Sequence, residues 1–539
     1  VVGKAARGVK DTLPHMRNPA FSENATMDLP SIDLGSACTV PPPAWPPLCQ
    51  PFAALGPEFS VPVAVSPLPD PMLVACSADA AALVGLQPPR CTEEERLWAQ
   101  AFGGHVDTLS GGSRATVYAG HQFGNWAGQL GDGRALLLGE WPDAENGRHS
   151  GGYPAWEVQF KGSGRTPFSR MGDGWAVLRS SIREFLCSEA MAALGVPTTR
   201  ALCIVGSTRP VRREELETAA MVTRLSPSFI RFGHFEHFSY SGQTAALQRL
   251  TDWVIARYCP HCAGQPQPAL ALLHWAVART AELLARWQAV GFVHGVMNTD
   301  NMSILGWTID YGPFAFIDAY DPLYTPNTTD RSGRYALGRQ PAVAHWNLLA
   351  LAQALLPLIA KPDDALQAVD GFRPQFVRAV QQQMAAKLGL EQVDADDGVL
   401  LQDLLDLMAA NRSDWTLTFR HFSRLSAQAQ AAIPPELAAQ FPRQPQAFAA
   451  WVRRYRARLQ RERRSDQARA QAMDAVNPVV VLRHHHAQAA IERAQAGDFS
   501  EVRRLLAALR KPFSPDAAHA AYAQPPAADA PPACLSCSS

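Results

Sequence analysis

Three short stretches carry residue types that do phosphate and metal chemistry. In "FVHGVMNTDNMSILGWTIDYG" (292–312), Asn301 and Asp310 flank an apolar run. A tight strand-turn-strand there would let their oxygens converge on one cation, and two oxygen ligands completed by water and nucleotide phosphates form a minimal magnesium site. In "WEVQFKGSG", strand alternation puts Trp156, Val158 and Phe160 on one face and Glu157, Gln159 and Lys161 on the other, so the lysine leaves the apolar side. In "GQLGDGRALLLGE" (128–140), Gly131 and Gly133 precede an apolar strand, giving a loop whose amides can approach phosphates with no Cβ in the way. A plain hairpin turn also explains "GDG". Arg134, directly after it, is placed either to reach a phosphate or to lie on the surface.

The elements that must position these groups are legible around them. "AVLRSSIREFLCSEAMAALGVP" has apolar residues at 178, 182, 185 and 186, and Gly195 and Pro197 end it, which predicts a helix. Glu184 flanks its apolar stripe, 23 residues after Lys161, and suits a pairing with that lysine; Glu189 is the rival. A strand ending at Arg224 and the following Arg231 supply guanidinium groups that would grip a triphosphate tail or, structurally, pair with carboxylates such as Glu236. This order of lysine strand, glutamate helix, His-to-Asn loop and Asp-Tyr-Gly is that of a protein kinase, whose catalytic loop reads H-R-D-L-x-x-x-N. Aligned from His294, the asparagine falls on Asn301, but the slot of the catalytic aspartate holds Val296, which neither accepts a proton nor binds a metal.

At 539 residues, 47% hydrophobic and 18% charged, the chain can bury one large bilobal core or two to three domains. Lys+Arg and Asp+Glu both number 49, so no global field points to nucleic acid or an anionic membrane. The run "WNLLALAQALLPLIA" (346–360) is shorter than the ~20 residues of a spanning helix. Residues 1–50 read as a disordered extension without a secretory signal, with a start near Met27 in view; 51–225 read as mixed α/β, 226–513 as helical, and 514–539 as a flexible tail. Ten cysteines over this length fit a reducing cytoplasm, apart from two C-x-x-C pairs, Cys259/Cys262 and Cys534/Cys537. The first lacks a β-α context and reads as incidental. The histidines of "HHHAQ" (484–488) would project in different directions from a helix, which argues against a shared metal.

The set "GHQFGNWAGQLGDGRA", "VQFKGSGRTPFSR", "REFLCSEAM", "VTRLSPSFIRFGHFE", "HGVMNTDNMSILGWTIDYGPFAFIDAYDP" and "NPVVVLRHHHAQAAIERAQAGDFSEVRRLL" resembles the selenoprotein O (YdiU-like) family from about Pro51 to Pro512. The resemblance implies an α+β, protein-kinase-like bilobal fold with an enlarged helical C-terminal lobe. It also implies transfer of AMP from ATP to Ser, Thr or Tyr hydroxyls of proteins, with ATP bound flipped relative to a kinase. On that resemblance Gly131, Gly133 and Arg134 line the phosphate loop, and Lys161 and Glu184 form the ion pair. Asp173 and Gly174 touch the nucleotide, Arg224 and Arg231 hold the departing pyrophosphate, and Asn301 and Asp310 bind Mg²⁺ or Mn²⁺. Asp300 is the general base, and Cys534 or Cys537 forms a regulatory disulfide. Expected with it are a cytoplasmic monomer and protein substrates, with neither nucleic acid nor membrane as partner. A catalytically inactive scaffold and a phosphotransferase are the competing readings: the first leaves Lys161, Asn301 and Asp310 unexplained, and the second wants an aspartate at Val296.

Overall fold

The computed structural model describes residues 45–110, 112–145, 152–514, 516–527 and Leu535. The expected N-terminal extension lies almost wholly outside them, as do Cys534 and Cys537. The strands are β1 (Ser60–Pro62), β2 (Met72–Cys76), β3 (Arg114–Thr116), β4 (Ala119–Gln122), β5 (Asn125–Gln129), β6 (Ala135–Pro142), β7 (Ala155–Lys161), β8 (Ala176–Val177), β9 (Arg200–Arg212), β10 (Leu216–Ser226), β11 (Phe292–Val293) and β12 (Ala315–Phe316). Among the described residues an antiparallel eight-stranded sheet runs β1-β3-β6-β7-β10-β9-β2, with β8 beside β10; β4–β5 and β11–β12 are separate hairpin pairs.

The alternation of β7 decides what each face of the sheet does. Trp156, Val158 and Phe160 enter one core with Trp98, Phe102, Met221 and Leu225. The opposite face is buried too: Val222, Leu137 and Ala220 pack under the helix Leu178–Ala193 through Leu178, Ile182, Phe185 and Leu186. Glu157, Gln159 and Lys161 therefore leave one apolar layer without reaching open solvent. Burying polar groups in this way demands partners for them.

After Ser226 the chain is mainly helical, and its longest helix, Pro268–Val290, ends on Gly291 in the left-handed region at φ 69°. A Cβ there would stand 2.7 Å from the Trp415 ring, so glycine satisfies both the helix cap and the packing. The chain then passes through β11 into the loop 294–314 and returns through β12. Asn301 and Asp310 were expected on a strand-turn-strand, but Met302–Ile309 is not a strand. Its apolar side chains Met302, Ile304, Leu305 and Ile309 are buried, and single bridges hold it, Ser303 to Arg231 and Thr308 to Thr198. The run 346–360, by itself too short for a membrane span, continues through flanking turns. Leu337–Leu358 is 22 residues of helix, long and apolar enough by composition to cross a membrane, and half of its most apolar stretch is buried within the protein.

Lys387, the last residue of the helix Phe372–Lys387, is 3% exposed in the core of Met384, Leu388 and Phe419, its ammonium 4.5 Å from the Phe419 ring centroid. No carboxylate pairs with it among the described residues, and burial pushes it down to about 7 from 10.5. The unfolded chain keeps this proton to higher pH than the fold does. The cost is therefore complete below about pH 7 and fades as pH rises toward the unfolded value. Lys387→Met should stabilise the fold at neutral pH by roughly 2–5 kcal/mol, with the gain shrinking toward pH ~10. Melting curves across that range check this; a lower melting temperature for the variant at neutral pH contradicts it.

Candidate active site

The sheet, the segment 168–175 and the loop 294–314 line a cleft of about 720 Å³, and the helix Leu178–Ala193 backs it through Glu184. Gln159 on β7 faces Arg224 on β10 in register, so both point to one side of the sheet, as does Lys161 two residues on. The Lys161 ammonium lies 2.6 Å from Glu184 Oε2 and 3.8 Å from Asp310 Oδ1. Arg224 Nη1 bridges the same two acids, 3.0 Å from Glu184 and 2.6 Å from Asp310, while its Nη2 donates to Gln159 Oε1. Arg231, at the N-terminus of the helix Phe232–Tyr240, donates to the other Asp310 oxygen and, at 2.7 Å, to the Asp300 carbonyl. Glu236 takes neither arginine; it meets His121. Glu189, the rival of Glu184, is held by Arg200 at 2.6 Å and Ser77 at 2.5 Å.

Three cations thus surround two carboxylates. Burial alone would raise the Asp310 carboxyl, but Arg231, Arg224 and Lys161 hold it well below the usual range. Burial also lowers the Lys161 ammonium, against the pull of Glu184. The surplus of positive charge in a low-dielectric cleft favours an anionic ligand.

The "GDG" turn is a built loop rather than a simple hairpin reversal. Gly131 has φ 133° and a Cβ on it would strike the Phe168 ring at 2.5 Å; one on Gly133 would meet the Phe168 carbonyl at 2.9 Å. Between them Asp132 is buried and accepts from the Thr116 backbone at 2.9 Å and hydroxyl at 2.6 Å. Arg134 is exposed at the cleft. Asp173 and Gly174 line the cleft as well, but Asp173 is clamped by Arg213 at 2.7 and 2.9 Å, and that hydrogen-bonded pairing holds its carboxyl low. Gly174, at φ 79°, lies against the Gly164 backbone where a Cβ would have 2.2 Å.

In the loop, His294 is buried, stacks on Trp287 at 5.3 Å and contacts the Ile309 carbonyl at 2.9 Å. It ties the start of the loop to the residue before Asp310, a role the motif alone did not disclose. Val296 lines the cleft at 8% exposure. Asn301 donates through Nδ2 to the Val296 carbonyl at 2.9 Å, which commits its nitrogen and leaves the amide oxygen for another partner. Asp300 is buried; Gln122 donates to its Oδ2 at 3.1 Å, and Oδ1 has no hydrogen-bond partner among the described residues. Burial pushes this carboxyl up to about 6, with Gln122 and the charge of Arg231 pulling the other way.

No group of three His, Cys, Asp or Glu side chains that could hold a metal occurs among the described residues. The free amide oxygen of Asn301 and the Asp310 carboxylate are hard donors, and they fit a dication that takes the rest of its shell from phosphates and water. Both Asp310 oxygens are engaged by guanidinium groups here, so such an ion needs the arginines to turn toward phosphate. Elsewhere, Cys259 and Cys262 are buried free thiols raised by burial, in line with an incidental pair. His484 contacts Arg183 while His486 meets Tyr522, so the histidine triplet serves separate neighbours. Sequence reasoning missed Gln122, Asp132 and the tether of His294. The glycines at 120 and 124 around Gln122 were the available signal of a tight approach.

A family model described as "Protein adenylyltransferase SelO" matches residues 49–510. The chain is 52% identical over 489 residues to the "Protein nucleotidyltransferase YdiU" of Paraburkholderia xenovorans (strain LB400), covering 88% of this chain and 92% of that protein. It is 50% identical over 492 residues to the protein of the same name from Burkholderia vietnamiensis (strain G4 / LMG 22486), with the same coverage. A paired lysine and glutamate, an Asn and an Asp at one cleft, and a match over most of the chain agree: it belongs to the SelO family of protein adenylyltransferases.

Proposed function

We propose that the protein transfers AMP from ATP to Ser, Thr or Tyr hydroxyls of other proteins in a kinase-like bilobal fold that has moved its base. The observation that carries this reading is the pairing of Val296, in the slot of the kinase aspartate, with the unpartnered Oδ1 of Asp300 in the same cleft. The lobes correspond to about 51–225 and 226–513, and the setting is the cytoplasm, with the protein acting as a monomer.

In this mechanism Asp300 accepts the proton as the acceptor oxygen attacks the α-phosphorus. The bond from that phosphorus to the bridging oxygen breaks, and pyrophosphate leaves. Arg224 and Arg231, turning from Asp310 toward the ligand, hold the terminal phosphates, and Lys161, kept in place by Glu184, reaches the same tail. Gly131, Gly133 and Arg134 cradle phosphate, and Asp173 and Gly174 border the nucleotide. Asn301 and Asp310 would hold Mg²⁺ or Mn²⁺, which when bound neutralises phosphate charge. A hydroxyl directed at the γ-phosphorus would face Val296 and lack a proton acceptor. An inactive scaffold would have no use for a buried, unpaired carboxylate oxygen beside an intact cation cluster.

Redox control by Cys534 or Cys537 belongs to the same proposal, with oxidation lowering activity. In its support, Thr328 donates through its backbone to the Leu535 carbonyl at 2.8 Å, and the adjacent Asn327 donates to the Gly295 carbonyl at 3.0 Å, which brings Leu535 near the loop of Asp300.

Asp300→Ala should lower the rate of AMP attachment by about 10²–10⁴-fold while ATP binding is kept. Intact-protein mass spectrometry of an acceptor and calorimetric ATP titration read the two effects; unchanged turnover rejects the base assignment. Asp310→Ala should abolish transfer and, by leaving Arg231 without a carboxylate partner and Arg224 with Glu184 alone, lower the melting temperature as well. Full activity of Asp310→Ala in the presence of a chelator contradicts the site.

A further inference from the structure

The hairpin β4–β5 is separate from the main sheet, yet three consecutive residues at its turn each grip one residue of the loop that carries Asp300. The His121 backbone donates to Thr299 Oγ1 at 2.7 Å, Gln122 Nε2 donates to Asp300 Oδ2 at 3.1 Å, and the Phe123 backbone donates to Asn298 Oδ1 at 3.1 Å. The strap is anchored behind by His121 on the buried Glu236 and by Phe123 packed on Tyr335, whose hydroxyl also donates to Asn298 at 2.6 Å. Its turn is tight: Phe123 has φ 51° and Gly124 φ 82°, a conformation unusual for phenylalanine and retained where surrounding contacts fix it.

We infer that Gln122 is a positioning residue for the transfer reaction: by holding Asp300 Oδ2, while Oδ1 lies buried against Gly120, it fixes the orientation of the carboxylate that receives the proton. The inference rests on the reading of Asp300 as the base. An ionised carboxylate only accepts hydrogen bonds, so the Gln122 amide must turn its NH₂ toward it, and the side chain cannot compete for the proton. The glycine before the strap completes the arrangement. A Cβ on Gly120 would stand 2.9 Å from Asp300 Oδ1, so the close approach of the hairpin depends on its absence. Without Gln122 the carboxylate would be free to rotate about its Cβ–Cγ bond, and the reactive oxygen would be misaligned in a fraction of complexes. Misplacement of that kind costs rate and leaves nucleotide affinity alone, because Gln122 holds the base and not the cation cluster.

The test is a double-mutant cycle of Gln122→Leu and Asp300→Asn in the full chain, following AMP attachment to an acceptor protein. Gln122→Leu should lower kcat by roughly 10–100-fold with KM for ATP unchanged, and should cost nothing further in the Asp300→Asn background. Gln122→Met, of the same length, serves where the leucine variant does not fold. An equal loss in both backgrounds, an unchanged kcat, or a rise in KM for ATP at constant kcat overturns the inference while Asp300→Asn alone still shows its loss. No loss in Asp300→Asn alone overturns the base reading, and this inference with it.

Discussion

The carboxylate of Asp310, clasped by Arg224 and Arg231 and approached by Lys161, is the interaction on which the cleft depends. Burying these charges costs several kcal/mol each unless every one finds a partner. That condition binds together parts of the chain that have little else in common. The strand β7 must carry Lys161, β10 must carry Arg224 in register with Gln159, and the helix Leu178–Ala193 must turn Glu184 toward the sheet. Asp310 itself sits at φ 57°, a backbone position that aspartate tolerates better than most residues and that the loop between β11 and β12 imposes.

The same network explains how a stable fold can await a ligand. Its carboxylates do not fully neutralise its cations, and the guanidinium groups that satisfy Asp310 have the fork geometry suited to phosphate. A polyphosphate can therefore replace a carboxylate as partner without stranding a buried charge. Asp300 stands outside this exchange. Arg231 touches its carbonyl and not its carboxylate, so one carboxylate oxygen stays free while the neighbouring acid is saturated.

Sequence alone disclosed the components more readily than their supports. Lys161 was legible because strand alternation is strict, and Glu184 because a helix brings its flank to a definite side of the apolar stripe. Choosing Glu184 over Glu189 needed the positions of Arg200 and Ser77, which no local pattern supplies. The arginines were legible as residue types, but their carboxylate partner, Asp310, was not. The segment Met302–Ile309 looked like a strand by composition, yet it is held by single bridges, because its neighbours are loop and helix-end residues and not strands. The strap of residues 121–123 joins Asp300 across a separation of 178 residues, and at that distance only the folded chain reports a contact.

The central claim is that the cleft directs a protein hydroxyl to the α-phosphorus of ATP and not to the γ. Parallel reactions with ATP labelled at one or the other phosphorus, followed by counting label retained on acceptor protein, decide it. The account predicts retained α-label, with the γ-label released as pyrophosphate. Retained γ-label without AMP on the acceptor would contradict it.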